Sequence, residues 1–401
     1  MVASRASAAQ NNKNDPNGRL GVMRTGVLAG VMVLAAVLAL MTPVPARAAD
    51  LPEATQKALA KLKLDPSVMA GLDDELKVPD AWLAAAKSEK ESVILGTWDD
   101  NQFRAMTAPF RARYPSVNLN FRRAATAERG TKVLVALGEG RVIADVLISI
   151  VDAKAEFIKM KALADLRELP GFRNLPGNYA GGDGTWAAYA QSYRCMTYNT
   201  DRVKAEDLPR KWDDLLTNPR WRGGRIALSN NPNAWLLNLW AVNGEAWGSD
   251  FTRRLFEADQ PQRRKEGMNA VTGLTVAGEF DASIPAPERA VAKFIQRGAP
   301  LGYHCPEPVP ITLSEVVTLE KSPHRNASRV FVNWLLRREG QLMQYTEAFA
   351  VPVHKALQLP NFVPFADTVL GKPVSVRDES ILGDPLQDKM LKLWNAYWTA
   401  Q

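Results

Sequence analysis

Apolar and polar positions along this chain recur with two different periods, and the switches between them outline its organisation. Residues 51–90 repeat apolar side chains at helical spacing, first in LPEATQKALAKLKL and then in PDAWLAAAKSEKE, where Pro79-Asp80 marks a helix start. From Ser92 the pattern shortens. Ser92 to Leu95 reads as a strand stopped by Gly96, Val117 to Phe121 as a half-buried strand of period two, and Ala144 to Ser149 as a buried strand. Between them, Asn101 to Tyr114 is a helix interrupted by Pro109, and Thr131 to Leu137 is another. Strands separated by helices predict a mostly parallel sheet with helices on both faces.

The alternation breaks at Leu169 to Gly184, a Gly- and Pro-rich stretch that reads as a surface excursion. Trp186 to Asn199 is an extended segment long enough to run from one domain into another. A second alternation fills 205–300: Trp212 to Leu216 helical, Arg225 to Leu228 strand, Ala234 to Val242 helical and Thr272 to Ala277 helical. Trp240 and Trp247 are expected in its core. Pro300 to Cys305 is extended again and returns towards the first domain. Helices at Asn326 to Gln341 and Asp388 to Ala400 follow.

The first fifty residues have a different character. Gly26 to Met41 carries no charge, Arg24 precedes it, and Ala46-Arg47-Ala48 follows Pro43 and Pro45. A basic start, an apolar stretch shorter than the roughly 20 residues that span a bilayer, and a small-x-small site are the order of a cleaved secretory signal, with cleavage after Ala48 and an uncleaved anchor helix as the other reading. No Cys follows before Cys195, which excludes a lipid-anchored mature N-terminus. The segment also locates the chain's formal charge of +7. Residues 1–48 hold Arg5, Lys13, Arg19, Arg24 and Arg47 against Asp15, which leaves +3 for residues 49–401. That balance argues against nucleic-acid binding.

Catalytic motifs are missing. The three histidines are His304, His324 and His354, and no H-E-x-x-H, C-x-x-C or G-x-S-x-G occurs. Gly138-Glu139-Gly140 is too short for a phosphate loop, and Tyr303-His304-Cys305 reads as alternating residues of a connecting strand.

Several pieces in order resemble the family-1 extracellular solute-binding proteins of ATP-driven (ABC) importers, nearest the ferric-iron-binding branch. They are Ala84-Ala-Ala-Lys-Ser-Glu89 before Val93-Ile-Leu95; Phe110 to Phe121; Ala144-Asp145-Val146; Tyr198-Asn199-Thr200; Trp212 to Trp221 before Gly224 to Leu228; Ser322-Pro323-His324-x-Asn326-Ala327; and Phe331-x-Asn333-Trp334 to Gln341. The resemblance implies an α/β fold of the type II periplasmic binding class: two lobes, each a mixed sheet flanked by helices, joined by two hinge strands and closing on a ligand. On this basis 1–48 is a signal peptide, 49–90 an N-terminal helical extension, 91–193 with 303–401 the first lobe, and 194–302 the second. A periplasmic monomer is expected that binds a small polar or charged solute, delivers it to an inner-membrane permease and uses no cofactor. A ferric-iron or iron-chelate binder of the same fold is the alternative, and a secreted hydrolase on a two-lobe scaffold the alternative of another class.

Ligand groups are then expected at the carboxyl ends of strands. In the first lobe these are Thr97, Trp98 and Asp99 after the first strand, with helix capping as the other reading of Asp99. Thr126 and Glu128 follow the second strand, in what reads either as an anion-holding helix start or as a solvated basic turn, and Ser149 and Asp152 follow the third. The hinge and second lobe contribute Tyr193, Arg194, Ser229, Asn230, Asn233 and Trp235. A guanidinium at Arg194 suits a carboxylate or phosphate, or an ion pair between lobes. Ferric-binding relatives carry a Tyr-Tyr pair a few residues after a Gly-Glu. Here Gly278-Glu279 is followed by no tyrosine before Tyr303, and the corresponding positions are Glu288 and Arg289, which suit an organic solute. Cys195 and Cys305, one on each inferred hinge strand in an oxidising compartment, are expected to form a disulfide.

Overall fold

The computed structural model describes residues 51–150, 153–376 and 385–400, so the expected signal peptide, residues 1–48, lies outside the described residues. Among the described residues no helix is long and apolar enough to cross a membrane. The described residues form ten strands: β1 (Ser92–Gly96), β2 (Leu119–Arg123), β3 (Val146–Ile148), β4 (Ala187–Asn199), β5 (Ile226–Ser229), β6 (Gln262–Arg264), β7 (Ala282–Pro287), β8 (Leu301–His304), β9 (Val309–Thr318) and β10 (Val374–Val376). They run in the order β2-β1-β3-β9-β4-β7-β5-β6, with β8 paired to β4 and β10 to β9.

Each lobe has a mixed sheet. In the first, β2, β1 and β3 are parallel and β9 is antiparallel to β3. In the second, β6, β5 and β7 are parallel and β4 is antiparallel to β7. The parallel strands β3 and β5 are buried along their whole length, which is why Val146-Leu-Ile and Ile226-Ala-Leu-Ser read as unbroken runs. The terminal strand β2 is half-buried and polar at its end.

β4 joins the lobes. Its residues Ala187 to Tyr193 pair with β9, whereas Arg194 to Tyr198 pair with β7 and Met196 to Asn199 with β8. Just beyond the handover Cys195 and Cys305 are disulfide-bonded, with Cα atoms 4.9 Å apart. Lys372 Nζ donates to the Cys305 carbonyl (2.7 Å) and Trp212 Nε1 to the Pro308 carbonyl (2.9 Å), so side chains from sequence-distant segments brace the same crossing.

Two large apolar cores result. The first holds Ile94, Phe103, Phe110, Leu147, Phe157, Phe331 and Trp334. The second is built around Trp212, Trp221, Trp235, Trp240 and Trp394. The 49–90 segment is part of the first core, into which it places Ala58, Leu59, Met69, Leu72 and Leu76. It is tied there by Glu339, whose carboxylate accepts from Thr55 Oγ1 (2.7 Å), Arg113 Nε (2.7 Å) and Trp334 Nε1 (3.0 Å). The terminal helix Pro385–Thr399, expected with the first lobe, packs on the second core through Met390 and Trp394, because the Trp394 indole both fills that core and donates to Asn230 Oδ1 (2.9 Å).

Motif residues behind the resemblance knot the first lobe together. The buried Asp145 carboxylate accepts from Val93 N (2.6 Å) and Ser322 Oγ (2.7 Å) and meets His324 Nδ1 at 2.9 Å. Glu89 accepts from Asn326 N (3.1 Å) and Ala327 N (2.8 Å), orphan donors at the start of the helix Arg325–Leu335.

Two tests follow. Asp259 is fully buried, and neither carboxylate oxygen has a hydrogen-bond partner among the described residues. Burial pushes its pKa up to about 6 against the opposing pull of Arg222 and Arg254. The folded state therefore holds a proton that the unfolded chain has released between pH 3.8 and about 6, and stability rises as pH falls through that window. Asp259→Asn should stabilise the protein by about 2 kcal/mol above pH 6, an advantage that fades towards pH 4, as read by denaturant titration across pH. Cys195→Ser with Cys305→Ser should cost about 3 kcal/mol in the same assay. Two free thiols in the unreduced native protein, counted by mass spectrometry, would contradict the bond.

Candidate functional site

The strand register locates the cleft. The first-lobe strand β3 ends at Ile148, opposite Val316 of β9, which is itself opposite Ala187 of β4. The second-lobe strand β7 ends at Pro287, opposite Arg194 of β4. The strand ends of the two lobes therefore approach one another along β4 from opposite directions and stop seven residues apart, at Ala187 and Arg194, roughly 23 Å along the strand. Residues 188–193, with Ser314 and Glu315 of β9 beside them, floor the gap between.

Several polar groups converge on that floor. Ser149, just past β3, has φ of 57°, a left-handed conformation that costs energy for a residue with a Cβ. It is held there by its N–H donating to the Glu315 carbonyl (2.8 Å) and by Arg129, whose Nε (3.3 Å) and Nη2 (3.0 Å) donate to the Ser149 carbonyl. Its hydroxyl lies 3.4 Å from Tyr189 Oη. At the second-lobe end, Ser192 Oγ is 2.9 and 2.7 Å from the two oxygens of the buried Glu288 carboxylate, and Arg194 Nη1 donates to the same hydroxyl. Arg194 Nη1 stands 3.7 Å from Glu288 and also donates to the Tyr193 carbonyl (3.4 Å). Arg194 Nε is buried without a partner.

Electrostatics follow from this enclosure. Burial lowers the Arg194 pKa, which Glu288 partly restores. Burial raises the phenols of Tyr189, Tyr193 and Tyr303, and Glu288 adds to the rise at the last two. These tyrosines are thus neutral hydrogen-bonding groups at physiological pH. Among the described residues no group of three or more His, Cys, Asp or Glu side chains is placed to hold a metal ion.

The residues expected from sequence divide into three sets. Ser149, Tyr193, Arg194 and Glu288 meet at the floor or its second-lobe end, and exposed Arg289 follows Glu288. Thr97, Thr126, Glu128 and Asn233 are exposed, Thr97 in the bend after β1 and the others in the short helical turns that follow β2 and β5. Glu128 folds back to accept from Ala125 N (3.0 Å). Ser229 ends β5 with its hydroxyl buried and unpartnered among the described residues. The third set has structural work. Trp98 is a core residue rather than an exposed plate, 5% accessible and packed against Tyr189 at 5.5 Å and Phe121 at 6.1 Å. Gly96 permits that packing, since a Cβ there would lie 2.8 Å from the Phe121 ring. Asp99 caps the helix Asp100–Met106, with its N–H bonded to Gln102 Oε1 (3.0 Å) and its carboxylate paired with Arg123 (2.6 Å). Trp235 is fully buried against Trp212 at 5.1 Å, and Asn230 holds the Trp394 indole. Asp152 lies outside the described residues.

Sequence reading passed over Tyr189, Ser192 and Arg129. Ser192 and Arg194 are two residues apart on one strand, and that period-two spacing was the available signal for the pair.

Known proteins share this architecture. The "Bacterial extracellular solute-binding protein" family profile matches residues 97–342. Iron uptake protein A1 of Synechocystis is 24% identical over 213 residues, 47% of this chain and 56% of that protein, so the chain spans little more than half the length of this relative. Among solved structures, Trichodesmium IdiA (FutA) in complex with iron and citrate superposes with a TM-score of 0.65 at 16% identity, over 77% of this chain and 99% of that one. AfuA from Actinobacillus pleuropneumoniae, with fructose-6-phosphate bound, gives 0.56 at 20% identity over 77% and 98%. These likenesses establish the two-lobe fold, and the profile covers more than half of the chain: the protein belongs to the bacterial extracellular solute-binding protein family.

Proposed function

We propose that the protein is the periplasmic substrate-binding component of an ABC importer, a monomer that captures a small charged or polar solute between its lobes and presents it to an inner-membrane permease. The observation that supports this reading is the convergence of strand ends from both lobes on residues 188–193 of β4, which gathers polar side chains of two separately packed bodies around one continuous strand. Arg194 makes an anionic group on the solute the preferred chemistry, because its Nε is buried and unfilled while Nη1 is already engaged. The secretory pattern of residues 1–48 supports the periplasmic location.

Thermal melting across amino acids, polyamines, sugars, organic acids, phosphonates, thiamine and ferric chelates should single out one class by a rise in Tm. The same solute should persist unchanged on prolonged incubation. Its conversion into a product would replace the binding reading with an enzymatic one.

With that solute, Arg194→Lys should weaken binding about tenfold, since an ammonium keeps the charge but loses the planar fork. Unchanged affinity by calorimetry would move the solute away from Arg194.

A second reading, ferric ion or a ferric chelate, is favoured by the iron-associated names of Iron uptake protein A1 and of IdiA. Loading with Fe³⁺ separates the two. A visible tyrosinate charge-transfer band would support direct iron ligation by phenolates. Stabilisation by ferric citrate without that band would support a chelate held through its anionic groups.

A further inference from the structure

Residues 122–141 carry five basic side chains and two acidic ones, a net charge of +3 that equals the net charge of residues 49–401 together. This short stretch forms one wall and the rim of an open groove of about 500 Å³ beside β2. The groove has an apolar floor that includes Leu95 and Ile143, and Val135 stands in it 55% exposed. Four cations line it against the single acid Glu128. Two of them are already matched, Arg123 by Asp99 and Arg141 by Glu139. Among the described residues Arg122 and Lys132 have no ion-pair partner, although both belong to the same concavity.

We propose that this groove docks an acidic segment of a partner protein, with carboxylates on Arg122 and Lys132 and an aliphatic side chain on Val135 and the floor. Charge complementarity fixes the sign of the partner. The concave apolar floor favours a polypeptide segment over a bilayer, whose flat surface meets only the rim. The terminal position of β2 leaves its outer edge open to a chain lying alongside. The groove also adjoins the interlobe floor through one side chain. Arg129 donates from Nη1 to the carbonyl of Ala124, which lines the groove, and from Nε and Nη2 to the carbonyl of Ser149 in the cleft. The proposal does not depend on which solute the cleft takes.

The test uses the full chain and a fluorescein-labelled peptide of alternating Glu and Leu, read by anisotropy at low and high salt. A peptide with Gln for Glu and sedimentable vesicles of phosphatidylglycerol and phosphatidylcholine serve as comparisons. The acidic peptide should bind, and should lose affinity with salt. It should bind about tenfold more weakly to Arg122→Glu/Lys132→Glu and to Val135→Asp, provided each variant keeps the wild-type Tm. If a reversal lowers Tm, Arg122→Gln/Lys132→Gln takes its place and should show the same loss. The proposal is overturned by no peptide binding, by equal binding of the Gln peptide, by variants that bind like wild type, or by vesicle binding that the variants abolish while peptide binding is unaffected.

Discussion

Everything in this molecule is hung on the backbone ladder of β4. Up to Tyr193 its amides and carbonyls belong to the first-lobe sheet through β9, and from Arg194 onward to the second through β7. A strand cannot shift its register by one residue without turning its side chains to the other face, so this shared ladder fixes both lobes' loops relative to one another. Tyr303 sits at the handover, its hydroxyl accepting from Cys195 N (3.3 Å) and donating to the Ala286 carbonyl (3.2 Å). Three strands and the disulfide thus meet at one short stretch of chain.

Around that axis, buried carboxylates act as anchors. Asp145, Glu339 and Asp281 are each nearly inaccessible and each surrounded by donors from distant segments. Asp281 takes guanidinium groups from Arg202 (3.1 Å), Arg220 (2.6 Å) and Arg225 (3.3 Å). Burial alone would raise its pKa, yet the donors from Arg220 and Arg202 hold it below the usual carboxylate range. Such clusters add little net stability against an apolar replacement, but removing one partner leaves an uncompensated charge. They define which segments meet. Asp259 is the counterexample, a buried carboxylate with no donor of its own among the described residues.

The alternation of strands and helices, the two crossing segments and the Cys195–Cys305 pairing were all legible in the sequence, because each rests on local periodicity or on two residues fixed by their strands. Of the residues at the cleft floor, Ser149 stands out locally as the residue after a buried strand, whereas Arg194 and Glu288 stand out only through the family resemblance. Trp98 and Trp235 misled because a tryptophan in a loop looks the same whether solvent or a distant ring covers it. Their covers, Tyr189 and Trp212, lie 91 and 23 residues away in sequence, each on another element. Asn230 is tied to Trp394, 164 residues later, a contact that no local pattern announces. The terminal helix followed Trp394 to the second lobe, a choice that the helix's own pattern does not encode.

That last placement bears on how the chain matures. The first core needs residues 51–90 at one end and Phe331 to Phe362 near the other, and the second needs Trp212 to Ile284 together with Met390 and Trp394. Neither body can seal its apolar interior on a nascent fragment, because each lacks aromatic side chains that are synthesised last. High contact order slows such folding and keeps the growing polypeptide loose. Both cores therefore close only once those late-synthesised side chains are available.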